Sequence, residues 1–326
     1  MAPTATSLAG PLAPHITNKT ILITGPSPTS LGHALALALA PHAPRLLILA
    51  GRSPPKLAES AALLRAANPA LQVRLLDLDL GSQASVRAAA AAVNEWADVP
   101  ALDVVVCNAG IMAVEYGVTA EGVERQLGTN YLGHWLFVNL VVGKVLAGGE
   151  GKGGRVVSVA SDGHRLGGVR GDWGFDDGKT YNRWVAYGQS KTGNMLMALS
   201  LAEKLGGRGL RAYSLHPGVV WTGLVGHVED TEGLFAELHA VDKSLGNLEG
   251  WDTELKLMSP DEGAATAMFA AFSPELEDHN GAYLQDCQVA DPWVHTVKAW
   301  ATSPVEAEKL WKLSEKLVGQ EFKYEA

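Results

Sequence analysis

Short apolar runs recur along the chain as "KTILIT", "RLLILA", "QVRLLDL", "LDVVVCN", "GRVVSVAS", "LRAYSLHP" and, late, "GAYLQD". Between them lie alanine- and leucine-rich stretches of strong helix propensity, such as "LGHALALALA", "KLAESAALLRAAN" and "SQASVRAAAAAVNEWA". Continuous apolar runs belong to strands buried on both faces, and strand–helix alternation calls for crossover connections. The pattern therefore predicts an α/β fold, a doubly wound parallel sheet of about seven strands flanked by helices. No internal repeat, low-complexity linker or charge run divides the chain, so residues 19–326 are expected to form a single domain. Residues 1–18, rich in Pro, Thr and Ser, read as a flexible N-terminal arm. The stretch over about 223–260 breaks the alternation and reads as an insert, irregular or helical. A C-terminal helix over about 304–318 is expected to dock on the body through Val305, Leu310, Trp311, Leu313 and Leu317.

At 326 residues and 47% hydrophobic, the chain can bury a large core. Its net charge of -9 repels a phosphate backbone, which argues against a nucleic-acid partner. Cys107 and Cys287 are the two cysteines, with neither a disulfide framework nor metal-ligand spacing; both read as core residues, and no metal site is expected. The N-terminus lacks the n- and h-regions of a secretory signal, and no apolar stretch reaches the roughly 20 residues of a membrane span. A cytoplasmic location is expected.

The loop after the first run is "TGPSPTSLG", Thr24 to Gly32, opening into a helical pattern. A strand that turns on glycine into a helix presents free backbone N–H groups and a positive helix end to a pyrophosphate. Gly25 and Gly32 fill the outer glycine positions, while Ser30 stands where a middle glycine is usual and one residue is added. Ser27, Ser30 and Leu31 complete the candidate cradle. The second run ends in "AGRSPPK", with Arg52, Ser53 and Lys56 and no acid. A ribose 2′-hydroxyl is normally held by an acid there and a 2′-phosphate by a cation, so NADP is expected over NAD.

In "WVAYGQSKTGNMLMALSLAEKL" the pair Tyr187 and Lys191 stands four residues apart, on one face of a predicted helix. A phenol beside an ammonium is a usable general acid/base. Ser161 ends "RVVSVAS", where its hydroxyl can hold a carbonyl oxygen. Asn108, Ala109 and Gly110 end another strand with small residues, Asn130 lies in a helical run, and "SLHPGVVWTGL" follows the last of these strands.

With these motifs in this order, the sequence resembles the short-chain dehydrogenases/reductases of single-domain, Rossmann-type fold, over about Lys19 to Asp291. It is most similar to their retinol-dehydrogenase-like branch, through "DLGSQASVR", "NYLGHW" and the insert between Ser161 and Tyr187. The resemblance implies a catalytic set of Asn130, Ser161, Tyr187 and Lys191. Asn130 would keep a backbone kink and a water that relays protons to Lys191, and Ser161 would hydrogen-bond the reacting oxygen. Tyr187 would exchange the proton, and Lys191 would lower the Tyr187 pKa and hold the nicotinamide ribose. Asp79 and Leu80 would flank the adenine, Asn108, Ala109 and Gly110 would line the cofactor, and Pro217, Gly218, Val220 and Thr222 would touch its nicotinamide side. The reaction implied is hydride transfer between NADP(H) and a carbonyl or secondary alcohol. Two alternatives stay open: a cofactor-binding regulatory or scaffold protein, and a non-redox biosynthetic enzyme. Relatives often pair through the helices carrying Tyr131 and Tyr187, so either a monomer, with that surface covered by the C-terminus, or a homodimer is implied.

His134, His164 and His216 lack metal-helix spacing and a G-x-S-x-G elbow, and read as structural. Trp173, Phe175, Trp184, Trp221 and Phe235 are candidate pocket walls, Trp221 foremost. The apolar residues of the insert, among them Leu224, Val225, Leu234, Phe235 and Leu238, suggest a segment that orders on a bulky hydrophobic or aromatic carbonyl substrate.

Overall fold

A computed structural model describes residues 2–220, 222–225, 230–251 and 257–324. Each of the apolar runs forms a strand: β1 (Thr20–Thr24), β2 (Leu46–Gly51), β3 (Val73–Asp77), β4 (Val104–Cys107), β5 (Arg155–Val159), β6 (Arg211–Leu215) and, after a short β7/β8 ribbon (Val219–Val220 with Leu257–Met258), β9 (Tyr283–Gln285). The main sheet runs β10-β9-β6-β5-β4-β1-β2-β3 and is parallel from β9 to β3. Its eighth strand, β10 (Gln288–Val289), hairpins back antiparallel on β9, so the count exceeds the expected seven by one.

Side-chain alternation along β1 explains the two layers. Leu22 joins a core with Val86, Trp135, Phe137, Leu196 and Trp311, whereas Ile21 and Ile23 join the opposite core with Leu35, Leu57, Leu64, Met268 and Phe272. Helices Gln83–Glu95, Gly133–Leu140, Arg183–Leu205 and Pro304–Val318 cover the first face. Helices Leu31–Leu39, Pro54–Ala67 and Ala265–Phe272 cover the second. The chain leaves β1 toward β2 and β3, then returns past β1 to β4, β5 and β6. The carboxyl ends of β1 and β4 thus diverge at a switch point, where open α/β sheets bind ligands.

The N-terminal segment departs from the expected flexible arm. Residues 5–9 and 13–16 are helical, Ala5, Ala9 and Ile16 are fully buried, and the Thr6 N–H and hydroxyl both donate to Asp261 Oδ1 at 3.0 and 3.1 Å. Alanines let this helix approach the Ala265–Phe272 helix closely, and Thr4 caps it with Ser7 in a reciprocal capping box. On the C-terminal helix Leu310 and Trp311 are buried and Leu313 and Leu317 half-buried against the core, but Val305 is exposed, because it falls on the first turn beyond the contact face. Among the described residues no helix is long and apolar enough to cross a membrane, and no group of three potential ligands gathers for a metal.

Candidate active site

A cleft of about 570 Å³ opens over the switch point. Its adenosine end is built from the β1 and β2 turns. Gly25 takes φ 68°, and a Cβ there would lie 2.8 Å from Ala109 Cα; one on Gly32 would lie 2.6 Å from Asn108 Nδ2. Both glycines are therefore required for the close passage of the two strand ends. Ser30 is the N-cap of the Leu31–Leu39 helix: its Oγ accepts from the His33 N–H at 3.2 Å and donates to the Gly25 carbonyl at 3.1 Å. The serine thus closes the longer loop on itself, while the first-turn N–H groups of Leu31 and Gly32 have no intrahelical acceptor and give this helix end its positive character beside the cleft that Leu31 lines. Ser27, Arg52, Ser53, Lys56, Asp79 and Leu80 line the same end. This donor set fits a nicotinamide dinucleotide: a helix N-terminus for the pyrophosphate, with Arg52 and Lys56 at the end of β2 beside it.

Thr24 stitches the two diverging strands. Its Oγ1 accepts from the Asn108 and Ala109 N–H groups, both at 2.9 Å, and pairs with His134 Nε2 at 2.8 Å. His134 Nδ1 in turn faces the Asn130 carbonyl at 2.9 Å. Burial pushes the His134 pKa down to about 4, so the ring is neutral, donating from Nδ1 and accepting at Nε2.

Asn130 lies in a π-helical turn, Leu127–Leu132, rather than a regular helix, a local widening that turns its carbonyl aside from the usual ladder. That carbonyl also accepts from Asn194 Nδ2 at 3.0 Å. The Asn130 side chain pairs with both backbone groups of Ile111, at 2.8 and 2.9 Å, and donates to Ser190 Oγ at 2.9 Å. Asn130 is fully buried behind Gly110 and Gly32 is buried against Asn108, whereas Asn108, Ala109, Gly110, Ser161, Tyr187, Lys191, Pro217, Gly218, Val220 and Thr222 line the cleft.

The reacting end is formed by the β5 turn and the long helix. Asn182 caps this helix, accepting from Trp184 and Val185 N–H, both at 3.0 Å, and so sets Tyr187 at the cleft wall one turn in. Lys191 Nζ lies 5.5 Å from the Tyr187 ring centre and donates to the Val159 carbonyl at 2.9 Å. Burial lowers the Lys191 pKa to about 8. Burial also raises the Tyr187 phenol well above its ordinary value, the Ser161 hydroxyl opposing, Asp162 reinforcing and Arg165 opposing.

Sequence spacing missed a charged group beside Ser161. The Ser161 hydroxyl donates to Asp162 Oδ1 at 3.1 Å and accepts from the Gly163 N–H at 3.0 Å. Arg165 donates from Nη1 to Asp162 Oδ2 at 2.8 Å, and from Nε and Nη2 to Asp242 at 2.9 and 2.8 Å. Burial acts to raise the Asp162 carboxyl, but His216, Arg165 and the Ser161 hydroxyl outweigh it and hold the pKa at about 2. Asp162 directly follows Ser161 and could be noticed; Asp242 lies 77 residues beyond Arg165 and could not.

Asp242 belongs to the helix Thr231–Leu245, which roofs the cleft. Trp184 Nε1 donates to the Leu234 carbonyl at 3.0 Å, and Phe235 and Leu238 line the cleft with Leu224, Leu166 and Met112. A buried ion pair between Arg165 and Asp242 docks this helix of the insert. Residues 226–229 and 252–256 of it, Trp221 and the Val225 side chain lie outside the described residues. Phe175 departs from the pocket-wall expectation: it is fully buried edge-on to Tyr181, because a positive-φ turn folds it inward, and Trp173 packs on the core. His164 is structural, Nδ1 facing the Ser161 carbonyl at 2.8 Å and Nε2 accepting from the Lys298 N–H at 3.2 Å. His216, in contrast, lines the cleft.

Known proteins share this organisation. The family model for short chain dehydrogenase matches residues 19–233. Short-chain dehydrogenase/reductase prx1 of Penicillium rubens is 39% identical over 254 residues, covering 76% of this chain and 71% of that protein. Retinol dehydrogenase 14 of Homo sapiens is 33% identical over 317 residues, covering 92% of this chain and 86% of the relative. The crystal structure of an uncharacterized protein from Mycobacterium paratuberculosis superposes with a TM-score of 0.70 at 28% identity, over 99% of this chain and all 100% of that one.

Proposed function

The chain belongs to the short-chain dehydrogenase/reductase family, oxidoreductases that work with nicotinamide cofactors, and from that premise we propose that it is an NADP(H)-dependent carbonyl reductase. Its substrate is a bulky hydrophobic or aromatic ketone or aldehyde. The observation that carries the reading is the convergence of Ser161, Tyr187 and Lys191 on one wall of a cleft whose other end gathers Arg52, Ser53 and Lys56. Bound along the turn over 25–31, Arg52 and Lys56, NADPH would supply the hydride. Ser161 holds the carbonyl oxygen and the Tyr187 phenol, kept protonated at neutral pH by burial, delivers the proton as that oxygen becomes an alkoxide. A protonated acid favours reduction over oxidation. Lys191, charged below about pH 8, holds the nicotinamide ribose. Apolar walls from Met112, Leu166, Trp184, Leu224, Phe235 and Leu238 exclude water and favour an apolar ligand, in keeping with relatives named for retinol. Catalysis is assigned to Asn130, Ser161, Tyr187 and Lys191 within a single domain over 19–326, on which the N-terminal helices pack.

NADPH oxidation, followed at the nicotinamide absorbance across aromatic, terpenoid and polyketide-like ketones and aldehydes with NADH in parallel, tests this reading. Turnover is expected with NADPH preferred, reduced about 100-fold or more in Tyr187→Phe. Tight NADPH binding without turnover on any carbonyl would overturn it.

A further inference from the structure

Asp162 has a charge and a position that holding Ser161 does not account for. One Oδ1 contact goes to Ser161 and one Oδ2 contact to Arg165, yet the side chain keeps 30% exposure and lines the cleft. A carboxylate has about four acceptor positions, so lone pairs remain on the cleft side. Facing it is His216, 8% exposed, whose Nδ1 is buried without a hydrogen-bond partner among the described residues. His216 Nδ1 and Asp162 Oδ1 stand 3.7 Å apart, too far for a direct bond but close enough to be bridged by one oxygen atom. The pair sits on the Ser161 side of the cleft, beside the place of the reacting oxygen.

Resting on the carbonyl-reductase reading, we propose that Asp162 and His216 form a polar subsite for a hydroxyl group on the substrate, one or two carbons from the reacting carbonyl. A hydroxyl donates its one hydrogen to Asp162 and accepts from His216 Nδ1–H, so the subsite uses the tautomer that carries its proton on Nδ1. An ammonium meets the Arg165 guanidinium held 2.8 Å from Asp162, and a carboxylate or phosphate meets Asp162 itself, so neither suits the pair. The span agrees: Ser161 Oγ and Asp162 Oδ1 are 3.1 Å apart, so two substrate oxygens bonded to them fall roughly 3–5 Å from one another, as on neighbouring or next-neighbouring carbons.

Benzoin and deoxybenzoin, aromatic ketones that differ by one hydroxyl beside the carbonyl, test the subsite on the full chain loaded with NADP(H). Affinity is read by titration calorimetry with NADP+ and kcat/KM by NADPH oxidation. Benzoin is expected to be favoured about tenfold or more in both, as befits a hydrogen bond to a charged group. That ratio should fall close to one in Asp162→Asn and in His216→Leu, the second of which removes no hydrogen bond and so keeps the test open if the first destabilises the chain. A ratio near one in the unaltered protein, including failure of both ketones to bind, overturns the proposal, as does a ratio unchanged in both variants. Selective binding of benzoin without turnover supports the subsite and sinks the reductase reading instead.

Discussion

Lys191 pays for its position with stability. A lysine whose folded pKa falls from 10.5 to about 8 carries a burial penalty wherever both folded and unfolded chains hold the proton, which is everywhere below pH 8. That shift corresponds to about 3 kcal/mol, against about 1 kcal/mol for its hydrogen bond to the Val159 carbonyl. Lys191→Met is therefore expected to stabilise the chain by about 2 kcal/mol at pH 7, a few degrees in melting temperature, while abolishing reduction. Between pH 8 and 10.5 only the unfolded chain keeps the proton, so the penalty shrinks and the advantage of the variant should shrink with it. Scanning calorimetry at pH 7 and 9.5 reads both effects, and a variant that melts lower at pH 7 contradicts the account. Tyr187 and Lys191 were legible in the sequence because helical spacing alone puts them on one face. Asp162 was not: a carboxylate next to a serine is unremarkable until Arg165 and His216 are known to surround it.

The strongest polar anchor of the roofing helix Thr231–Leu245 is a buried ion pair, beside the Trp184 bond to the Leu234 carbonyl and the Arg183–Glu237 pair. Asp242 is fully buried and bound through two hydrogen bonds to Arg165, which also bonds Asp162 and lies 3.8 Å from Glu249. The two ends of this pair are unequal. Asp242→Asn leaves Arg165 with Asp162 and Glu249, a loss of about 1 kcal/mol, whereas Arg165→Met strands the Asp242 carboxylate away from water, a loss of roughly 3–5 kcal/mol. Urea unfolding should rank the variants in that order, and hydrogen exchange should quicken over 231–245 before it does in the β-sheet; equal losses would show that the ion pair is not what docks the helix. The sequence left this segment open between irregular and helical; in the structure Asp230 caps the helix and Gly246, at φ 71°, ends it. Its docking partner did not, since no periodicity links residues on different elements. The π-helical turn at Leu127–Leu132 was equally hidden, because its residues satisfy a regular helix as well.

Across the whole molecule, topology followed from hydrophobic runs long enough to be buried on both faces. The edge strand β10 escaped notice because its two residues are exposed and its turn, Asp286 and Cys287 at φ 51° and 58°, lacks the Asn-Gly chemistry that marks a tight hairpin. The C-terminal helix matters most at this scale, because it settles on the faces of Gly133–Leu140 and Arg183–Leu205 through which such folds can pair. Trp311 stacks edge-on against Trp135 with centres 5.0 Å apart, Ser314 pairs with Tyr131 at 2.7 Å, and Ser200 donates to the Ala307 carbonyl at 3.3 Å. Tyr324 adds a bond to Asn139 at 2.6 Å. An apolar face already buried within the chain has no drive to bury itself again against a second copy, so the protein should sediment as a monomer of 34.4 kDa. Trp311→Ala removes the largest side chain of the cover, at about 3–5 kcal/mol, and leaves Trp135 with Phe322 as its remaining edge-on partner. Sedimentation equilibrium of both proteins decides the matter. A monomer that begins to self-associate on substitution identifies the helix as an intramolecular cover, and a dimer of the unaltered chain would require pairing through some other face.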